Sequence, residues 1–297
     1  QMLMVAGVER YYQFAKCFRD EASRADRQPE FMQLDLEMSF VEQEDVLALA
    51  EGCTREAING VIEEFGLEKE PVGPFTRLTY DDAMDRYGCD KPDLRFGLEL
   101  FTANSVLAGT DFRPFADALE TGGTVRGVRY PGGGSLARKA TDELAEFAKG
   151  LGASTLVAIK VPGSEAPVGA AAKLSPEHLS GLVTVARAEP GDLLLLIPGE
   201  RSAVDGALYR LRLEIGDRLG LKDPRKLHFA WVTDFPLVER DEAAGRWSAM
   251  HHPFTSPKPE DFGMMESDPG AIRAAAYDMV CNGFEVAGGS IRIHSSE

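Results

Sequence analysis

From Met32 to Phe40 the chain alternates apolar and polar residues in the run MQLDLEMSF. An extended strand sends Met32, Leu34, Leu36, Met38 and Phe40 to one side, and Phe31, Gln33, Asp35, Glu37 and Ser39 to the other. Tyr11 to Arg19 reads as a preceding strand, with Asp20 to Glu30 as the loop between them. Hairpin loops usually hold two to five residues, and longer ones tend to be functional. This one is crowded with acids and arginines. Fixed charges of both signs therefore converge on the polar face of an antiparallel pair. An antiparallel sheet whose polar face lines a cleft accounts for that pattern better than a face turned to open water.

Downstream, residues 42–65 have Val46, Leu49, Ala50, Cys53, Ala57, Ile58, Val61 and Ile62 at helical spacing, acids in the first turn and Gly66 to end the helix. FTRLTYDDAMDRYG reads as a short strand and helix, and CDKPDLR (89–95) as a turn. From there to about 223 the texture changes. β-rich pieces (TVRGVRYP, STLVAIKVP, DLLLLIPG) alternate with helical ones. The expected division is 1–94, a separate α/β-type module over 95–223, and a return to strands over 224–297.

The chain has 297 residues, 44% of them hydrophobic, which suits a globular protein with a sizeable core. No apolar run approaches the ~18 residues of a membrane helix. The N-terminal residues show no secretory signal, and they read as the middle of a domain. Cys17, Cys53, Cys89 and Cys281 lie far apart, so no zinc-ligand spacing exists and free thiols in a reducing cytoplasm are expected. Net charge is −16, and residues 1–94 hold most of the excess, with 10 basic and 21 acidic residues. That argues against non-specific nucleic-acid binding over the whole surface, while leaving room for a local basic groove.

Besides that strand, two further stretches could carry chemistry. In YDMVCNGFEVAGGSIRIH (277–294), Asn282-Gly283 marks a two-residue hairpin. That register puts Asp278 on the same face as Glu285. Paired carboxylates repel unless a cation lies between them, and Mg²⁺ takes one or two carboxylates plus substrate phosphates. Two solvated acids on an exposed hairpin are the alternative. Arg292 falls on the opposite face by strict counting, unless a bulge at Gly288-Gly289 restores the parity. MHHPFTSP (250–257) is weak alone: adjacent histidines before a proline often cap a turn. PGGGS (131–135) lacks the Lys-Ser/Thr of a phosphate loop and reads as a turn.

Taken together, FRDE…RQPEF resembles motif 2 of class II aminoacyl-tRNA synthetases. CFRDEASRADRQPEFMQLDLEMSF, MHHPFTSP and NGFEVAGGSIRIH look specifically like the bacterial aspartyl enzymes, over essentially the whole chain. The resemblance implies an α+β fold: an antiparallel-sheet catalytic core interrupted by an inserted domain that is shared with an amidotransferase subunit. It implies ATP-dependent activation of L-aspartate and transfer to the 3′ end of tRNA(Asp), with tRNA(Asn) an open extension. It also implies a cytoplasmic homodimer that is not bound to a membrane.

The residue roles follow by resemblance. Arg19 holds the α-phosphate and the reacting carboxylate. Asp20, Glu21, Gln28 and Phe31 meet ATP, with Phe31 stacked on adenine. Asp278 and Glu285 hold Mg²⁺, Glu285 also serving ATP. Asp35 takes the substrate ammonium, and Arg292, His251 and His252 take the aspartate side chain. The family's N-terminal anticodon-binding barrel, motif 1 and motif 3 have no counterpart in these residues. A fragment poorly active on its own is therefore expected, to be checked by aspartate-dependent pyrophosphate exchange. The competing readings are an asparaginyl ligase and a non-catalytic tRNA-binding or regulatory module.

Overall fold

The strands on either side of the charged stretch pair with each other and form a two-stranded sheet, while residues 21–27 between them lie outside the described residues. A computed structural model describes residues 2–20, 28–241 and 244–295. A short helix α1 (Met2–Val5) precedes β1 (Arg10–Phe18) and β2 (Glu30–Met38), which pair antiparallel with Gln13 opposite Asp35. The strand stops two residues before the expected Phe40, whose φ of 60° is left-handed and breaks the extended run. The long helix α2 (Gln43–Phe65) starts in a capping box between Glu42 and Asp45 and ends at Gly66 in the left-handed region, where Leu67 N–H reaches the Ile62 carbonyl.

The central part of the chain is built of β3 (Thr76–Thr79), α3 (Tyr80–Tyr87), β4 (Leu100–Thr102), α4 (Arg113–Glu120), β5 (Thr124–Tyr130), α5 (Arg138–Gly150), β6 (Val157–Lys160), α6 (Pro176–Val185), β7 (Leu193–Gly199), α7 (Arg201–Arg218) and β8 (Phe229–Thr233). The hairpin β9 (Val238–Asp241) and β10 (Arg246–Ala249) follows, then β11 (Ala276–Cys281) and β12 (Phe284–Ser290).

Two compact units divide these elements. One comprises Gln1–Phe75, Pro236–Tyr277 and Val286–Glu297, the other Thr76–Phe235 and Asp278–Glu285. The second unit contains the sheet β4-β5-β7-β6, in which every pair is antiparallel although strands and helices alternate along the chain. The alternation that suggested an α/β module therefore produces no parallel pairing here. Leu193, Leu195 and Ile197 of β7 enter one apolar cluster with α5 and α7, while Leu194 and Leu196 enter another with α4 and α6. Both faces of β7 are covered, and this is why its sequence is an unbroken apolar run. In the second four-stranded sheet, ordered β12-β11-β8-β3, the β3–β8 pair is parallel.

Candidate active site

The charged strand face, the MHHPFTSP stretch and the hairpin predicted to carry chemistry, together with one further loop, form four local groups. The first is the polar face of β1–β2. Asp35 is half-buried and accepts a hydrogen bond from Gln13 Nε2 at 3.3 Å. Phe31 lies on the same face, and the Arg19 guanidinium stands over its ring at 5.2 Å, a cation–π distance. Arg19 N–H closes the base of the loop on the Pro29 carbonyl. Asp20 and Gln28 are exposed at the two ends of that loop. Glu21 lies outside the described residues. The opposite face carries Tyr12, Phe14, Met32 and Leu34, all 47–71% exposed.

The second group is built around Arg292. The strand β12 continues through Gly288 and Gly289 to Ser290, so the parity problem is solved another way: the chain leaves the strand. Arg292 then forms an isolated antiparallel bridge with Thr255. Gly289 is required just before it, because a Cβ there would stand 2.8 Å from the Tyr277 ring. The Arg292 guanidinium lies over the Phe254 ring at 4.8 Å, donates from Nη1 to Ser290 Oγ at 2.8 Å, and contacts His252 Nε2.

An arginine only donates, so His252 Nε2 must accept. The Nδ1–H then donates to Thr255 Oγ1 at 2.8 Å. Burial, Arg292 and His251 all hold the His252 pKa below its ordinary value, which keeps the ring neutral, as this arrangement requires. Phe254 stacks on the same ring at 4.0 Å. His251 is exposed beside it. Among the described residues no carboxylate pairs with Arg292: its partners are an imidazole, a hydroxyl and an aromatic face.

The third group is the β11–β12 hairpin end. Asn282 and Gly283 both have positive φ, 52° and 92°, as a type I′ turn demands. Asn282 pins the turn by donating to the Lys226 carbonyl and accepting from His228 N–H. Asp278 is half-buried, and its carboxyl is pushed up to about 7 by burial, then by Glu285 and Asp90, with Lys91 acting in the opposite direction. Glu285 and Asp90 thus oppose ionisation of this carboxyl. Glu285 pairs with Lys91 Nζ at 3.0 Å.

An all-oxygen donor set with surplus negative charge suits a hard divalent ion. Among the described residues no group of three or more His, Cys, Asp or Glu side chains forms a metal cage, so such an ion would need further oxygens from a ligand. The raised carboxyl has a consequence for stability. Between about 3.8 and about 7 the folded chain binds the Asp278 proton more tightly than the unfolded chain does. The cost is absent below that window and complete above it. Asp278→Asn should therefore raise the melting temperature at pH 8, by roughly 1–3 kcal/mol of stability, and leave it unchanged near pH 4. An equal gain at both pH values would contradict this origin.

The fourth group was not legible as a site. The segment 89–95, read as a turn, is a tightly held loop. Buried Asp93 takes a bidentate pair from Arg95, and its carbonyl, with those of Phe96 and Gly97, accepts from Arg212 Nη2. This loop presents Lys91 to Glu285 across 194 residues of sequence. A lone lysine in a turn gave no local signal of that partnership.

With these groups in place, the chain's relatives can be stated. A profile of the family described as tRNA synthetases class II (D, K and N) matches residues 1–297, and the chain belongs to that family. It is 48% identical over 297 residues to the aspartate--tRNA(Asp/Asn) ligase of Caldanaerobacter subterraneus subsp. tengcongensis, covering all of this chain and 49% of that protein. It is 49% identical over 296 residues to the enzyme of the same name from Moorella thermoacetica, covering 48% of it, and 48% identical to the aspartate--tRNA ligase of Shouchella clausii, covering 50%. The chain spans about half the length of the curated relatives it matches.

Proposed function

We propose that this chain carries the amino-acid-activation site of an aspartate–tRNA ligase. One observation supports the choice of substrate above the others: Arg292 is a half-buried guanidinium whose partners among the described residues are all neutral. Such a group calls for a carboxylate in two-pronged geometry, and an amide cannot supply the charge. The L-aspartate side chain meets that need. Neutral His252, fixed by Thr255, orients the guanidinium, and His251 closes beside it. Asp35 takes the substrate ammonium.

ATP lies along the β1–β2 face in this reading. Phe31 stacks on adenine, Asp20, Glu21 and Gln28 surround the base and its loop, and Arg19 neutralises the α-phosphate and the incoming carboxylate. An oxygen of the aspartate α-carboxylate attacks the α-phosphorus, the bond to the β-phosphate oxygen breaks, and pyrophosphate leaves. The 3′-terminal ribose hydroxyl of tRNA(Asp) then attacks the aspartyl carbonyl, and AMP departs. Position and charge carry the rate, with no covalent enzyme intermediate. Asp278 and Glu285 would hold Mg²⁺, which when bound neutralises phosphate charge. Homodimeric assembly, a cytoplasmic location and a separate inserted domain over 95–223 belong to the same proposal.

The test is ligand-induced stabilisation of the chain. With ATP and Mg²⁺ present, L-aspartate should raise the melting temperature and L-asparagine should not. Equal shifts would favour an asparaginyl enzyme. A rise with tRNA alone, and none with ATP and Mg²⁺, would favour a non-catalytic binding module. Acceptance by tRNA(Asn) transcripts would extend the substrate range, as the printed names of two relatives do for those proteins.

A further inference from the structure

The pair Lys91–Glu285 has the form of an exposed ion pair, which alone contributes little to stability. Its surroundings distinguish it. Both partners are about one-third exposed. Lys91 sits on the loop clamped by Arg212 and by the Asp93–Arg95 pair, with Lys91 N–H on Cys89 Sγ at 3.4 Å. The Asn282-Gly283 turn rests against that loop: a Cβ on Gly283 would be 3.6 Å from Asp93 Cβ. Loop and hairpin thus pack against each other, and the Lys91 ammonium reaches Glu285 across that contact. Glu285 holds its ammonium at 3.0 Å, and Lys91 offsets the charge that Glu285 and Asp90 impose on half-buried Asp278. A lysine suits this task better than an arginine. It is a compact charge on a flexible stem, with no fork to bind a carboxylate in fixed geometry.

We propose that Lys91 is the resident counter-cation of the Asp278–Glu285 pair, occupying Glu285 and opposing a divalent ion that arrives alone. This rests on reading that pair as the divalent-ion site. Two cations cannot share Glu285 without repulsion, so a bare metal ion must displace the ammonium. A metal ion arriving with a triphosphate brings the negative charge to which a released ammonium can turn. Lys91 therefore couples metal binding to nucleotide binding, and by linkage each favours the other.

The experiment measures Mn²⁺ affinity of the chain from the free-ion EPR signal, with and without ATP, for wild type, K91M, K91Q, K91R and D278N. Without nucleotide, K91M and K91Q should bind Mn²⁺ about tenfold more tightly than wild type, since a partly screened like charge has been removed. The enhancement of Mn²⁺ binding by ATP should shrink by a similar factor in both, and K91R should keep the weak Mn²⁺ binding of wild type without nucleotide but show less enhancement by ATP. Unchanged or weaker Mn²⁺ binding by both neutral variants overturns the proposal. D278N reports separately on the underlying reading: loss of Mn²⁺ binding there upholds the site, and full retention overturns the site itself. Because K91M and K91Q differ in polarity, agreement between them excludes a packing artefact.

Discussion

Arg292→Leu should abolish recognition of L-aspartate. The substrate carboxylate would then enter a half-buried site facing an imidazole, a hydroxyl and a phenyl ring, with no charge to meet it. Removing one partner of a desolvated, hydrogen-bonded charge pair costs about 2–5 kcal/mol, which is at least about thirtyfold in Kd. Arg292→Lys should lose most of the same affinity, because an ammonium cannot form the two parallel hydrogen bonds of a guanidinium. Isothermal titration with aspartate checks both. Retention of wild-type affinity by the leucine variant would remove the basis for assigning aspartate to this group. The variants should remain folded, since the backbone bridge between Arg292 and Thr255 does not involve the side chain.

The largest expected effect on stability lies in the other compact unit, at Arg212. This side chain is fully buried in α7, and burial pushes its guanidinium down to about 10, so it remains charged at neutral pH. Nη2 serves the carbonyls of Asp93, Phe96 and Gly97, and Nε serves that of Leu98. Nη1 makes no hydrogen bond among the described residues. The faces of Tyr87 and Phe96, at 4.9 and 4.2 Å, meet the charge as well. Arg212→Met keeps the volume and the contact with the rings, but leaves four carbonyls without their donor. A loss of about 3–5 kcal/mol follows, to be read from the shift of the urea midpoint. A loss below about 1 kcal/mol would mean that water or a rearranged loop replaces the arginine. The loop that Arg212 organises also carries Lys91, so a milder variant, Arg212→Lys, should disturb the Lys91–Glu285 pair before it unfolds the chain.

A second buried arginine has a different arrangement. Arg126 of β5 pairs with Asp205 of α7 and donates to Thr102 Oγ1 and to the carbonyls of Met84 and Asp85. Arg201 also holds Asp205, at 2.6 Å, so that carboxylate keeps a partner if Arg126 is lost. Among the described residues no comparable substitute is present for the carbonyls held by Arg212. Charge burial is tolerated at both places because every charge is met by an opposite charge or an oriented dipole.

Much of the local structure was written in short-range pattern. The type I′ hairpin follows from Asn282-Gly283, because few residues tolerate left-handed φ at two successive positions. Leu193 to Ile197 could be read as a buried strand because five apolar residues in a row have no wet side. The limits of α2 follow from an acid-rich first turn and from Gly66. Family membership was legible for the same reason: motif 2, MHHPFTSP and the hairpin are contiguous strings whose residue types are set by what they must contact.

Other features depend on distance through space and have no local signature. Alternating strands and helices over 95–223 gave the order of elements but not their pairing, because the direction in which strands pair is decided by how helices and loops pack, and it is antiparallel throughout that sheet. Strict counting put Arg292 on the wrong face. The chain places it beside His252 by leaving the strand after a glycine crowded by Tyr277, a contact no period-two rule contains. Lys91 meets Glu285 across 194 residues, and nothing near either one announces the other. By itself, the order of residues determined which segments are strands or helices and which side chains carry charge, because dihedral preference and apolar spacing act over a few residues. Tertiary structure alone decided which charges meet and which stay half-buried without an opposite partner, because electrostatic pairing and desolvation act through space and are indifferent to separation along the chain.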